Sequence, residues 1–203
     1  GFAAGIKKGR DDLALIASDV PATAAGAFTT NVVKATSVMR NMMVLEKGGK
    51  IKGIVANAGN ANACTGSLGV KSNAEMAECY ANCLGVSSDE VLTASTGVIG
   101  ATFPIEKITA GIKGGFVHLG YDRSSALSAA KAIMTTDTYP KEVAVEFELD
   151  GKTVRMGGMA KGSGMICPNM ATMLSFITTD ANISGEVLNR LLKEDITSTY
   201  NMV

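Results

Sequence analysis

The step Ala171–Thr172 lies inside the run KGSGMICPNMATMLSFITTD, residues 161–180. A glycine-rich stretch and Pro168 lead to a small residue and then a threonine. Residues 172–178 have the β-branched and aromatic content of a buried strand. A threonine hydroxyl at such a turn-to-strand junction can attack the carbonyl that precedes it. If the acyl shift breaks the C–N bond and water then hydrolyses the ester it leaves, the chain parts and Thr172 becomes an N-terminus. Hydroxyl nucleophile and α-amine base then share one residue, a known way of activating a weak nucleophile. The plainer reading is a threonine chosen for shape and local hydrogen bonds after an ordinary glycine turn.

Other chemistry-bearing types give less. His118 is the one histidine of the chain, and nothing near it resembles a nucleophile elbow, so packing or a surface position suits it better than a triad. Cys79 and Cys83 stand four apart in a helical stretch, which fits neither a zinc site nor a redox pair. With Cys64 and Cys167 they read as reduced, mostly buried thiols. Gly162 and Gly164 lack the spacing of a phosphate-binding loop. Asn57, Asn60 and Asn62 crowd one loop, where amides either stitch the loop to itself or support a small polar ligand; the structural role is favoured.

Elements able to position these residues follow from periodicity and caps. Strands are expected at residues 11–18, 27–33, 51–56, 90–94, 143–149, 152–156 and 172–178, with a turn near Pro21. Asn- and Gly-rich residues 57–67 read as loop, and Ser95 to Gly97 as a turn. Helices are expected at 68–84 with Gly85 as C-cap, after Pro104, at 122–134 with Asp122 as N-cap, and from Ser184 to about Tyr200. Asp150-Gly151 between alternating runs is a strong hairpin signal. Strands outnumber helices slightly without strict alternation, which points to α+β or a layered α/β arrangement.

Composition bounds the function. The chain has 203 residues, 46% hydrophobic, enough for a sizeable core in one large domain or two small ones. Nineteen basic residues balance nineteen acidic ones, so no charge excess points to nucleic acid or an anionic membrane. No apolar run reaches membrane-spanning length, and the first residues lack the design of a signal peptide. A cytoplasmic protein is expected.

Several blocks beyond residues 161–180 resemble one family. They are GFAAGIKKGRDDLALIASD (1–19), AGAFTTN (25–31), NAGNANACTG (57–66), STGVIG (95–100) and IMTTDTYPK (133–141). In this order they are similar to the ornithine acetyltransferase family, also called glutamate N-acetyltransferase. The resemblance implies a helix–sheet–sheet–helix sandwich of the N-terminal-nucleophile kind, autoprocessed between Ala171 and Thr172. It divides the chain into an alpha segment, 1–171, and the start of a beta segment, 172–203, whose remainder is not in this chain. Some of the family's substrate contacts fall in that remainder. The resemblance makes Thr172 the nucleophile, and Thr96 with Gly97 the oxyanion site. A hydroxyl and a backbone N–H suit that role, although a Ser-Thr-Gly run also makes a plain strand-ending turn. Thr138 and Lys161 fall at substrate-binding positions; alone they read as a loop cap before Pro140 and a solvated lysine.

The implied reaction moves an acetyl group from N2-acetylornithine to glutamate through acetyl-Thr172, in arginine biosynthesis. No metal or organic cofactor is expected, and acetyl-CoA enters as a second donor only if the enzyme is bifunctional. The partner is the chain's own beta segment, in a heterotetramer or larger assembly. Two rival readings remain open on the residues: a self-processing aminopeptidase or amidase with the same threonine, and an uncleaved, non-catalytic fragment.

Overall fold

A computed structural model describes residues 1–162 and 173–202. Among them are two three-stranded sheets and five α-helices, a mixed α+β fold. The first sheet holds β1 (Leu13–Ala22), β2 (Ile51–Asn60) and β3 (Val91–Val98) in that order, β1 antiparallel and β3 parallel to β2. The second is an antiparallel meander of β4 (Lys141–Leu149), β5 (Lys152–Lys161) and β6 (Leu174–Thr179). Asp150 and Gly151, both at positive φ (49° and 69°), make the tight β4–β5 turn that the dipeptide announces.

Alternation along the first sheet separates its two faces. Leu13, Leu15, Val55 and Val91 pack against Met76, Ala77 and Tyr80 of α2 (Gly66–Leu84) and Ile108 and Ile112 of α3 (Ile105–Phe116). The opposite face is small: Ala14, Ala56 and Ala94 form a cluster with Ala129, Ala132 and Ile133 at the end of α4 (Arg123–Ala132). Met159, Leu174 and Phe176 of the second sheet pack on that cluster. Alanines on this face let the second sheet and α4 approach closely.

Helix boundaries follow their caps. The Asp122 side chain accepts from Ser125 N at 2.9 Å to start α4, and Ser184 accepts from Val187 N at 3.4 Å to start α5 (Gly185–Ser198). Pro104 occupies the N-cap position of α3. Gly85, at φ 70°, ends α2 in the left-handed conformation that glycine adopts without steric penalty.

Four expectations are corrected. Residues 27–33 form no strand: Thr29 Oγ1 accepts from Asn31 N and Asn31 Oδ1 from Val33 N (both 3.1 Å), drawing those backbone donors into local turns. No turn forms at Pro21, which stays in β1 within the irregularity between Ala17 and Ala22; β1 is an edge strand, where a missing N–H is tolerated. Asn57 to Asn60 and Ser95 to Gly97 are not loop and turn. They extend β2 and β3 by pairing with each other, and this long-range ladder overrides local composition.

A helix without cap signals, α1 (Thr36–Glu46), is a further difference. Its polar side chains flank the free edge of β3. Asn41 donates Nδ2 to Thr93 O (2.8 Å) and accepts Thr93 N on Oδ1 (3.1 Å), as a neighbouring strand would. Arg40 donates to Val91 O (2.7 Å) and Ser88 O (2.5 Å). The edge is thereby closed to other chains.

Candidate active site

The ends of β2 and β3 carry the first candidates. Ala58 and Thr96 pair across the parallel ladder, as do Gly59 and Gly97, so Thr96 continues the face of Ala56 and Ala94 toward the second sheet. Thr96 is half-buried and Gly97 exposed. Gly97 has φ 133°, a conformation that side chains disfavour. A Cβ there would lie 2.6 Å from Gly59 O and from Asn60 N, and closer still to the Gly59 carbonyl carbon. Backbone therefore abuts backbone, and only glycine fits. Gly59 is covered in turn by the N-terminal loop, because its own Cβ would meet Ile6 Cγ2 at 2.7 Å and Lys7 Cγ at 3.1 Å.

The asparagines hold this end together. Asn57 Nδ2 donates to Asn60 O (2.9 Å), and Asn60 Nδ2 to Ala101 O and Thr102 O (3.2 and 3.1 Å). Asn60 Oδ1 accepts Asn62 N (2.8 Å), and Asn62 Nδ2 donates to Gly69 O (3.0 Å). These amides stitch the segment to itself, the favoured expectation.

Lys161 ends β5 opposite Leu174, the first residue of β6. Leu174 packs on the cluster that contains Ala94, two residues before Thr96. The end of β5 and the start of β6 thus lie over the alanine face of the first sheet and the end of α4. Lys161 is not the solvated lysine of its residue type: it is 3% exposed and donates to Gly162 O at 2.7 Å. Burial lowers its pKa first, Lys141 pushes the same way, and Asp137 opposes both.

Thr138 is exposed on the loop between α4 and β4. Its neighbour Asp137 joins that loop to the end of β5. Asp137 Oδ1 accepts Gly162 N (2.6 Å) and Lys141 Nζ (2.7 Å), while Oδ2 accepts Thr135 N (3.2 Å). Burial alone would raise the Asp137 pKa; Lys141 and the Gly162 and Thr135 N–H groups outweigh it and bring it to about 2.

The N-terminal loop braces the same region. Asp12, fully buried, accepts Ala4 N, Ile6 N and Lys7 N at 2.7, 2.6 and 2.7 Å. That nest directs Lys7 Nζ onto Met134 O (2.8 Å) and Ala132 O (3.3 Å), at the end of α4 where carbonyls point outward unpaired. Burial, then the nearby Arg10, lower the Lys7 pKa to about 8 against the pull of Asp12, Asp11 and Asp137. Arg10 donates to Thr135 O at 3.3 Å.

Contacts therefore run from Gly97 through Gly59 and Lys7 to Met134 at the end of α4, and from the Thr138 loop through Asp137 to Gly162 beside Lys161. Ala171 and Thr172 lie outside the described residues, as does Cys167. Exposed His118 stacks on Phe2, ring centroids 6.2 Å apart. Cys79 and Cys83 are half-buried free thiols, and Cys64 is exposed at φ 57° rather than buried. Among the described residues no group of acidic, His and Cys side chains is placed to hold a metal ion, and no helix is long and apolar enough to cross a membrane.

The profile of the ArgJ family matches residues 1–203. The chain belongs to the ArgJ family. It is 52% identical over 204 residues to the arginine biosynthesis bifunctional protein ArgJ 1 of Clostridium acetobutylicum, covering all of this chain and 49% of that protein. It is 47% identical over 206 residues to the glutamate N-acetyltransferase of Methanocaldococcus jannaschii, covering all of this chain and 51% of that protein. The ArgJ-type fold is also that of the Mycobacterium tuberculosis ornithine acetyltransferase crystallised with ornithine: TM-score 0.77 at 40% identity, covering 86% of this chain and 90% of that one. The chain spans about half the length of the curated relatives it matches.

The sequence offered Thr96, Gly97, Thr138 and Lys161 but not Asp12, Lys7 or Asp137. Asp137 stands in the quoted TTDTYPK block, and an acidic residue between hydroxyls ahead of a proline is the signal that could have found it. Asp12 and Lys7 stand in the first block, where a carboxylate after a glycine-bearing loop fits a backbone nest.

Proposed function

We propose that this chain contributes the nucleophile half of an acetyltransferase that moves acetyl from N2-acetylornithine to glutamate. Whole-length membership of the ArgJ family supports the reading, together with relatives named for arginine biosynthesis and glutamate N-acetyl transfer. The observation that carries it on this chain's own residues is buried Lys161, paired with Leu174 at the start of β6 and joined through Gly162 and Asp137 to the Thr138 loop. Thr172 stands two residues before Leu174 in the chain.

In this reading the Ala171–Thr172 peptide breaks autocatalytically, and the freed α-amine serves as base. Its reference pKa near ~8 leaves an appreciable neutral fraction at physiological pH. The Thr172 hydroxyl attacks the acetyl carbonyl and passes its proton to the amine. The Thr96 hydroxyl and the Gly97 N–H steady the oxyanion. Collapse expels ornithine, whose nitrogen takes the proton, and leaves acetyl-Thr172. The glutamate amine attacks this ester, N-acetylglutamate departs, and the threonine oxygen regains a proton. Lys161 and Thr138 hold the α-carboxylate that donor and acceptor share. Acetyl-CoA is a second donor. Four layers of the N-terminal-nucleophile kind, a cytoplasmic location and a heterotetramer or larger assembly with the beta segment complete the proposal.

Mass spectrometry of the full-length protein tests the cleavage: pieces ending in Ala171 and beginning at Thr172 are expected, and Thr172→Ala abolishes them. N-acetylornithine with glutamate is expected to yield N-acetylglutamate. Hydrolysis at equal rate with and without glutamate refutes the transferase reading.

A further inference from the structure

We infer that Asp137 is a positioning residue for carboxylate recognition, locking the Thr138 loop to the end of β5 so that Lys161 presents its ammonium in one place. The inference rests on the proposed function and adds a residue to its substrate site. Both polar groups of the Gly162 backbone are engaged: its N–H by Asp137 Oδ1 at 2.6 Å and its C=O by Lys161 Nζ at 2.7 Å. Gly162 is thus the joint between carboxylate and ammonium. The Asp137 side chain is 2% exposed, so its bonds are made out of water, and both its oxygens are engaged.

Charge gives the arrangement a purpose. Lys161 is buried with Lys141 as a like-charged neighbour, and the Asp137 carboxylate offsets both. Without Asp137 the Gly162 N–H loses its acceptor. The carbonyl that fixes Lys161 is then free to turn, and the loop bearing Thr138 parts from β5. A purely structural brace would weaken every substrate alike. A positioning residue for Lys161 weakens those substrates that carry an α-carboxylate.

The test compares N2-acetylornithine with N-acetylputrescine, the same acetyl donor without its carboxylate, in the full-length protein. In Asp137→Ala the ratio of the two kcat/KM values is expected to shrink at least about tenfold, the size of a lost hydrogen bond to a charged group. The change falls on KM for N2-acetylornithine. Asp137→Asn, which keeps one acceptor oxygen but not the charge, is expected to fall between. An unchanged ratio overturns the inference, whether both donors keep their rates or both drop together. If Asp137→Ala does not fold, the same comparison in Asp137→Asn decides, and a wild-type ratio there overturns it. A parent protein that transfers acetyl from neither donor refutes the functional proposal and this inference with it. A transferring parent with an unchanged ratio in the variants refutes this inference alone.

Discussion

Replacing Gly97 by alanine probes the end of β3 with one methyl group. At φ 133° an alanine is strained before any contact is counted, at a cost of about 1–3 kcal/mol. The added Cβ would stand 2.6 Å from Gly59 O and Asn60 N, whereas non-bonded carbon contacts relax near ~3.5 Å. The paired strands must part by close to ~1 Å at atoms that belong to backbone, which no rotamer change can relieve. Strain and overpacking together make about 3 kcal/mol a reasonable sum. For a chain of this size that lowers Tm by roughly 6–12 °C. The proposed oxyanion donors sit on the displaced residues, and an error of ~1 Å in such a site costs about a hundredfold in rate. Thermal unfolding by circular dichroism and acetyl transfer from N2-acetylornithine to glutamate give the two readings. Gly97→Ala with an unchanged melting temperature and a rate within threefold of the parent would refute the close approach of Gly97 to Gly59.

Asp12→Ala leaves three backbone N–H groups without their acceptor, and is expected to destabilise by about 3 kcal/mol or more in denaturant titrations; a loss under ~1 kcal/mol would count against the nest. Asn41→Ala removes two bonds from the edge of β3 and is expected to cost about 1–2 kcal/mol, with faster hydrogen exchange at Thr93 N–H as the local signature. Asp137 has a folded pKa of about 2, below its unfolded value, so its stabilisation is complete above about pH 4 and fades as pH falls toward 2. Unfolding free energies measured between pH 5 and 2 are expected to fall more steeply for the parent than for Asp137→Asn, by about 1–2 kcal/mol across that window.

What was legible in the residues was local. Asp150-Gly151, Gly85, Asp122 and Ser184 each announce a turn or a cap through their own conformational needs, and each does so in the structure. What misled was composition standing in for partners. Asn57 to Asn60 look like loop because asparagine and glycine favour turns, yet the parallel ladder with Ser95 to Gly97 supplies the backbone bonds that neither run finds alone. Residues 27–33 look like strand because of Phe and Val, yet Thr29 and Asn31 claim two backbone donors first. α1 was illegible for a related reason: Asn41 and Arg40 serve the edge of β3, about fifty positions away in sequence. Thr96, Gly97, Thr138 and Lys161 were named through the family's motifs rather than from spacing.

In the proposed function, Lys161 binds the substrate carboxylate from a buried position. Taking an ammonium out of water is unfavourable unless opposite charge repays it, and Lys141 adds a second cation nearby. Asp137 supplies one carboxylate, already committed to Lys141, Gly162 and Thr135. Lys161→Met is expected to weaken binding of α-carboxylate substrates. A variant that is both less stable and undiminished in affinity for N2-acetylornithine would mean that Lys161 serves the fold.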